Sequence, residues 1–322
     1  EPSAGIGNFI GLCPQNFNAR FMAVELDPTT SAIARYLYPK EQHLNIGFQN
    51  SLIRSGGIDA VVGNPPFGNQ SLYDPDFPEL RKFSVHNYFL AKSIDLLREG
   101  GVASFVVSRY FMDSADSTVR EHISQYADFL GAVRLPENAF RQNALTDVTA
   151  DVVFFQKNSG EKLYSRDWVN TTSIEVDDLK NGGRRPVTVN SYFATNPRQI
   201  IGTLAFSGGM FEGALNCLPD PAHADLGRAI GERLDVLPEG RFIPQAENPL
   251  KPEVRARDGK FIRSPYFQGL KQDALCVEPQ TGKIVFKTVS AFGESDYDVL
   301  QVNTETARLR LTGMIRIRDT LR

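Results

Sequence analysis

The chain has 322 residues, a net charge of −3 at pH 7, 41% hydrophobic and 23% charged residues, which suits a soluble globular protein with one full core and a second, smaller unit. A slightly acidic chain does not advertise a nucleic-acid partner, so any surface for phosphates has to be a local patch of Lys and Arg. The three cysteines, Cys13, Cys217 and Cys276, are odd in number and widely spaced, which excludes a disulfide framework and a cysteine zinc site. No apolar run approaches the ~20 residues of a membrane helix, and no basic-then-apolar leader opens the chain. A soluble protein of a reducing compartment, the cytoplasm, is expected. Glu1 stands where Met is usual, and the last stretch stops without a closing signal, so both ends read as cut.

Residues 19–25 (ARFMAVE) form the first strand candidate. Asp27 and Pro28 then open a helix that runs to about Tyr38, with Pro at the first helical position. Residues 43–48 are a weaker strand, and 58–62 (IDAVV) a short buried one. A helix follows over about 85–98, its Val85, Phe89, Leu90, Ile94 and Leu97 on one face, ended by Gly100 and Gly101. Residues 102–107 (VASFVV) are the next buried strand. Asp113 can cap a helix carrying Val119, Ile123 and Tyr126. Strands over 129–135 and 151–156 complete the series. Alternation of this kind predicts an open α/β sheet with helices on both faces, and ligands of such sheets bind outside the carboxyl ends of the strands.

The texture changes after about Gly160. Asn181, Gly182, Gly183 and Arg184 form a turn, one helix is expected near 222–236, and prolines recur from Pro238 to Pro252. Asp258-Gly259 and Thr281-Gly282 read as hairpin turns. The last segment reads as a helix with Arg308, Arg310, Arg316, Arg318 and Arg322. The expected organisation is a first domain over 1–160 and an α+β extension over 161–322.

Three motifs fall at expected strand ends. The first is EPSAGIGNF, residues 1–9: an acid, then a turn whose glycines let a ligand approach the backbone. The carboxylate suits an ammonium group, although a bare GxG also occurs in ordinary turns. The second is Glu25, an acid at the tip of a strand, placed to hold two ribose hydroxyls; a surface acid is the plainer alternative. The third and most telling is Gly63-Asn64-Pro65-Pro66-Phe67-Gly68. Its prolines make a rigid extended corner. Asn64 and the Pro65 carbonyl offer acceptors, and Phe67 offers a flat face, a set suited to a planar ring bearing an amino group. An Asn-Pro turn of no chemical consequence is the competing account.

In this order, EPSAGIGNF resembles the first motif of amino-group DNA methyltransferases, and NPPF resembles their catalytic tetrapeptide. The stretches SVHNYFLAKSIDLLREGGVASFVVSRYFMD and GAVRLPENAFRQNALTDVTADVVFFQK are similar to a large helicase-associated adenine methyltransferase family of phages, plasmids and other mobile elements. The likeness covers about 1–160 and is looser over 185–240, including Asn190, Ser191, Tyr192 and Phe193. It implies a class I methyltransferase-like, Rossmann-like, mostly parallel sheet whose first strand is truncated here.

The same resemblance implies site roles. Glu1, Pro2, Gly5 and Gly7 would cradle the methionine part of S-adenosylmethionine, Glu25 its ribose, and Gln49 or Asn50 its adenine, where relatives often have an acid. Asn64, Pro65, Pro66 and Phe67 would be the catalytic set. Phe67 would stack on the target base; Tyr88 is either a second stacking face or a residue of the helix packing, and His86 and Asn87 flank the pocket. The implied reaction is methyl transfer to the exocyclic amine of adenine in double-stranded DNA, with the base flipped out and no metal. The four histidines, His43, His86, His122 and His223, are scattered. The alternatives are a protein glutamine methyltransferase, whose amide is also a planar amino group, and a non-catalytic scaffold that binds DNA or a helicase. Residues 69–83 are a candidate DNA-side loop, Arg134 and Arg141 candidate phosphate contacts, and a helicase region is implied in the longer relatives. No phosphate-binding GxxxxGK[ST] loop is present, so no ATPase is expected within these residues.

Overall fold

In a computed structural model, the structure describes residues 1–14, 16–141, 147–158, 166–207, 214–240, 242, 255–256, 275–277, 283–289, 295–300, 302 and 304–320. The first half alternates as expected. Helix α1 (Asn8–Leu12) precedes β1 (Met22–Val24), α2 (Pro28–Leu37) and β2 (Gln42–Leu44). Then come β3 (Ser51–Leu52), β4 (Ile58–Gly63), α3 (Val85–Leu96), β5 (Leu97–Ser108), α4 (Arg109–Asp113), α5 (Thr118–Tyr126), β6 (Ala127–Arg134) and β7 (Ala150–Lys157). Strands β1 and β2 pair in parallel. A four-stranded sheet has the order β4-β5-β7-β6.

The α/β class is as expected, but the strand directions are more mixed than a mostly parallel sheet. β4 and β5 are parallel, whereas β7 runs antiparallel to both β5 and β6. Helical connections accompany the strands that run the same way. Helix α3 carries the chain back from β4 to β5, and α4 and α5 return it from β5 to β6. The described part of the β6–β7 connection includes a 3-10 turn, Glu137–Phe140, and β7 lies antiparallel between β5 and β6.

The leading residues bridge the two sheets. Glu1 exchanges backbone hydrogen bonds with β1 in the parallel manner: its amine donates to the Met22 carbonyl at 2.9 Å, and its carbonyl accepts from the Val24 amide at 2.9 Å. On the other side, a Cβ at Gly63, the last residue of β4, would lie 3.3 Å from the Pro2 ring. The turn at 1–7 thus sits where the strands change neighbours, at their carboxyl ends.

Several local expectations are corrected. Helix α3 stops at Leu96, and Gly100 and Gly101 lie inside β5 rather than after the helix. Gly100 has φ +71°, and a Cβ on Gly101 would lie 2.9 Å from the carbonyl oxygens of Arg98 and Asp59. The pair shifts the register against β4. Asp113 does not cap the next helix, which starts after Ser117; it is buried and held by Arg134. The helix expected over 222–236 is three pieces: 3-10 turns at Pro221–His223 and Leu234–Val236 around α7 (Leu226–Gly231). Asp225 restarts the helix by accepting from the Arg228 amide at 3.0 Å.

Elements just beyond 166 pack directly on the first sheet. Strands β8 (Thr171–Asp178) and β9 (Arg184–Asn190) form a hairpin around the expected turn, with positive φ at Gly182 and Gly183. Helix α6 (Ser191–Thr195), β10 (Thr203–Ser207) and β11 (Ala214–Leu218) follow. Trp168 stacks on Phe129 of β6 with ring centroids 4.9 Å apart. Asn190 is fully buried; its side-chain amide donates to the carbonyls of Met112 and Trp168. Strands β12 (Arg255–Ala256), β13 (Leu275–Val277), β14 (Ile284–Val289) and β15 (Ser295–Val299) come next, with β13, β14 and β15 in one antiparallel sheet. The Asp258-Gly259 and Thr281-Gly282 turns lie outside the described residues, as does most of the proline-bearing stretch. The chain's last described element is α8 (Glu305–Thr320), helical as expected. No helix among the described residues is long and apolar enough to cross a membrane.

Arg134 is the electrostatic centre of the packing. Its guanidinium is fully buried, and it pairs with Asp151 at 2.8 Å and with Asp113 at 2.9 Å. Asp113 in turn accepts from the Asn190 amide at 2.9 Å, so one arginine joins β6, β7, α4 and the end of β9. Burial alone would lower its pKa; Asp151 and Asp113 reverse that and hold it above its ordinary value. Arg134 is therefore committed inside and is not a phosphate contact, and Arg141 is paired with Asp147. Asp151→Ala is expected to cost about 3–5 kcal/mol in urea unfolding, because it strands a buried charge. Replacing Arg134, Asp113 and Asp151 together by apolar residues of similar volume is expected to cost far less; an equal loss would show that the charges do not act as one unit.

Candidate functional site

The site is built at the carboxyl ends of β1, β2 and β4. Glycine makes the first turn possible: Gly5 has φ +56° and Gly7 φ +86°, a conformation that L side chains rarely adopt. At Gly7 there is a second reason, since a Cβ would lie 2.7 Å from the Tyr38 ring. Glu25, one residue beyond β1, locks this turn. One carboxylate oxygen accepts from the Gly5 amide and the other from the Asp27 amide, each at 2.8 Å. Asn45 secures the same corner by donating to the carbonyls of Glu25 and Leu26 at 2.9 and 3.0 Å. Asp27 plays the capping part, accepting from the Thr30 amide at 2.7 Å.

The tetrapeptide joins the turn directly. The Ser3 hydroxyl donates to the Asn64 carbonyl at 2.9 Å. Pro65 is buried, while Asn64, Pro66 and Phe67 are exposed. The Phe67 ring is half exposed and meets His86 edge-on at 5.3 Å. The structure therefore brings together Glu1, Pro2, Gly5, Gly7 and Glu25 with Asn64, Pro65, Pro66 and Phe67. Gln49 lies in the 3-10 turn Phe48–Asn50 beyond β2, at the same sheet edge, with its amide folded over Gly47. Tyr88 is placed differently from a stacking face: it is fully buried, its hydroxyl donates to Asp74 at 2.6 Å, and its ring packs on Phe48 and Phe89.

Two ionisable groups here are displaced. Glu1 rises from 4.5 to about 7, mainly by burial, helped by the nearby Glu25 charge and opposed by the amine of its own residue. Its Oε2 is buried without a hydrogen-bond partner. An orphaned buried carboxylate oxygen beside a glycine turn is a fitted acceptor for an ammonium group. His86 is lowered from 6.5 to about 4 by burial, against a contact with Asn87 that favours the charged form; its ring is neutral near pH 7. The resemblance put His86 at the pocket's flank, but neither spacing nor composition marks it as the support of Phe67, which the ring contact shows. Among the described residues, no three His, Cys, Asp or Glu side chains are grouped to hold a metal.

Residues 17–139 match the family model described as the Eco57I restriction-modification methylase. Over that stretch, which holds Glu25, the tetrapeptide and α3, the resemblance to DNA methyltransferases is borne out. The chain is also similar, at 25% identity over 99% of its length, to the Defense against restriction protein B of Escherichia phage P1. It is 34% identical over 33% of its length to the modification methylase CviBIII of Paramecium bursaria Chlorella virus NC1A. The matches span 14% of the first relative and 29% of the second. Among solved structures, the EcoKI M protein of a type I restriction enzyme is 21% identical, with a TM-score of 0.38, covering 62% of this chain and 48% of that one.

Because His86 is held neutral, the unfolded chain binds its proton more readily than the native one. Stability is therefore fully present above the unfolded value of 6.5 and is lost as pH falls toward about 4, by on the order of 3 kcal/mol. Urea unfolding across that window is expected to show a slope that His86→Gln removes; an unchanged slope in the variant would place the titration elsewhere.

Proposed function

We propose that this chain carries the catalytic centre of an S-adenosylmethionine-dependent methyltransferase that modifies the exocyclic amine of adenine in DNA. The observation that carries the reading is the hydrogen bond from Ser3 to Asn64, which sets the glycine turn and the amine-accepting tetrapeptide edge to edge in one site. The methylase family match over 17–139 supports DNA as the substrate class.

S-adenosylmethionine supplies an electrophilic methyl group. The residues here hold and orient. Glu1 would receive the ammonium end on its unpartnered oxygen, Gly5 and Gly7 would leave room along the backbone, and Glu25 and Gln49 would hold the ribose and the adenine. Asn64 presents its side-chain carbonyl, and Pro65 its backbone carbonyl, to the two hydrogens of the target amine. That amine is a poor nucleophile because its lone pair is delocalised into the ring. Two acceptors favour a more tetrahedral nitrogen, with the lone pair directed away from them. Phe67, half exposed on its His86 support, stacks on the flipped base, which pays for leaving the duplex. Positioning of this kind is the main source of rate. The division at about residue 160, with 161–322 as an extension that contacts DNA or joins a helicase region, belongs to the same proposal, as does action in the cytoplasm.

The test uses the full-length protein with labelled S-adenosylmethionine, unmethylated duplex DNA and, in parallel, a protein extract. Label in methyladenine that falls about a hundredfold or more with Asn64→Ala is expected, the usual size for removing a preorganised polar group from a reacting centre. Label in protein glutamine alone would overturn the DNA reading, and absence of cofactor binding would favour a scaffold. A separate expectation concerns pH. Since Glu1 must be ionised to pair with an ammonium, cofactor affinity should rise as pH rises through about 7, and Glu1→Gln should flatten that rise; a flat wild-type profile in calorimetric titration would remove Glu1 from the binding role.

A further inference from the structure

Lys92 lies in the middle of α3, outside every motif that carries the proposed chemistry, yet its side chain is wholly buried. Its ammonium donates to the Phe48 carbonyl at 2.7 Å, to the Ser51 carbonyl at 3.3 Å and to Asp74 Oδ2 at 2.8 Å. It also sits 4.6 Å from the centre of the Phe48 ring and 5.3 Å from that of Phe77. Asp74 is buried as well, and the same oxygen accepts from the Tyr88 hydroxyl. Its other oxygen accepts from the Asp76 amide at 2.9 Å, and its carbonyl from the Phe77 amide at 3.2 Å.

These partners belong to two segments that bear on different halves of the site. The Phe48–Asn50 turn carries Gln49 and follows β2, on the cofactor side. Asp74 lies in the segment 69–83, which leads from the tetrapeptide to α3, on the substrate side. Its Gln70 carbonyl accepts from the Val85 amide at 2.6 Å. An ammonium has three donors, and here they are divided between the two segments. A buried ion pair of this kind is poor value as stabilisation alone, because desolvation offsets its attraction; its geometric effect is to hold two loops at one distance.

We propose, on the reading given above, that Lys92 is a positioning residue that couples the cofactor-side turn 48–51 to the substrate-side segment 69–83, so that occupancy of either half of the site favours the binding geometry of the other. The coupling is reciprocal, as any linkage between two binding equilibria must be. Removing the ammonium while neutralising Asp74 releases the turn from the loop without leaving a buried charge unpaired.

The experiment measures S-adenosylhomocysteine affinity of the full-length protein with and without saturating duplex DNA. The wild type is expected to bind the ligand at least about fivefold more tightly with DNA present. In Lys92→Met/Asp74→Asn the ratio is expected to fall to about one. A ratio of one in the wild type, or an unchanged ratio in the variant, overturns the role of Lys92. A wild type that neither binds S-adenosylhomocysteine nor methylates DNA refutes instead the reading of the site. Hydrogen exchange of the unmodified protein decides the matter if the double variant does not fold. S-adenosylhomocysteine alone should slow exchange in 48–51 and also in 70–77, and protection that stops at residue 51 would overturn the proposal.

Discussion

The Glu25 carboxylate is the constraint on which the site's geometry depends. It accepts from Gly5 on one oxygen and from Asp27 on the other, so the glycine turn cannot move away from the end of β1. Glu1 is laid along β1 by backbone hydrogen bonds, and Ser3 ties the same turn to Asn64 at the end of β4. The leading turn and the loops after β1 and β4 are thus fixed relative to one another by a handful of short polar contacts. None of them contributes much to stability by itself. Their value is in position, which is what transfer between two bound molecules requires.

Two clusters of buried charge lie inside the fold: Arg134 of β6 binds Asp113 and Asp151, and Lys92 of α3 binds Asp74. Both cations reach backbone or carboxylate groups on separate elements, and both lie next to aromatic rings: Arg134 is 4.3 Å from the centre of Phe193. Such groups fix which segment lies against which, since every alternative packing leaves a charge in apolar surroundings. His86 adds a different kind of support. Burial keeps it neutral, so it backs Phe67 as a flat polarisable ring and not as a cation competing for the site.

Much of this was legible in the sequence because it rests on local chemistry. The strand 58–62 followed by Asn64-Pro65-Pro66-Phe67 predicted a rigid corner at a strand end, and the corner is there. Asp27 before Pro28 predicted a capped helix, and Asp27 caps it. What was not legible depends on partners far along the chain. The Asp113 side chain has the form of a helix cap, but Arg134, twenty-one residues later, claims it. Arg134 read as a surface cation and is wholly buried. Gly100 and Gly101 looked like a helix terminator, yet they form a strand bulge, with the carbonyls of Arg98 and Asp59 close to Gly101. Tyr88 has the composition of a stacking residue, and only the placement of Asp74 shows that its hydroxyl and ring are spent in the core. The antiparallel direction of β7 likewise rests on its pairing with β5 and β6, which hydrophobic patterning does not report.

The central claim is that 1–7, Glu25 and 64–67 form one site for a cofactor and an amine. A crystal structure of the full-length protein with S-adenosylhomocysteine tests it most directly. The ligand's ammonium is expected on Glu1, its ribose toward Glu25 and its sulfur facing Asn64. Ligand density confined to the outer cleft of α2 beside Ser31, Tyr36 and Asn45, with the Glu1 carboxylate uncontacted, would contradict it.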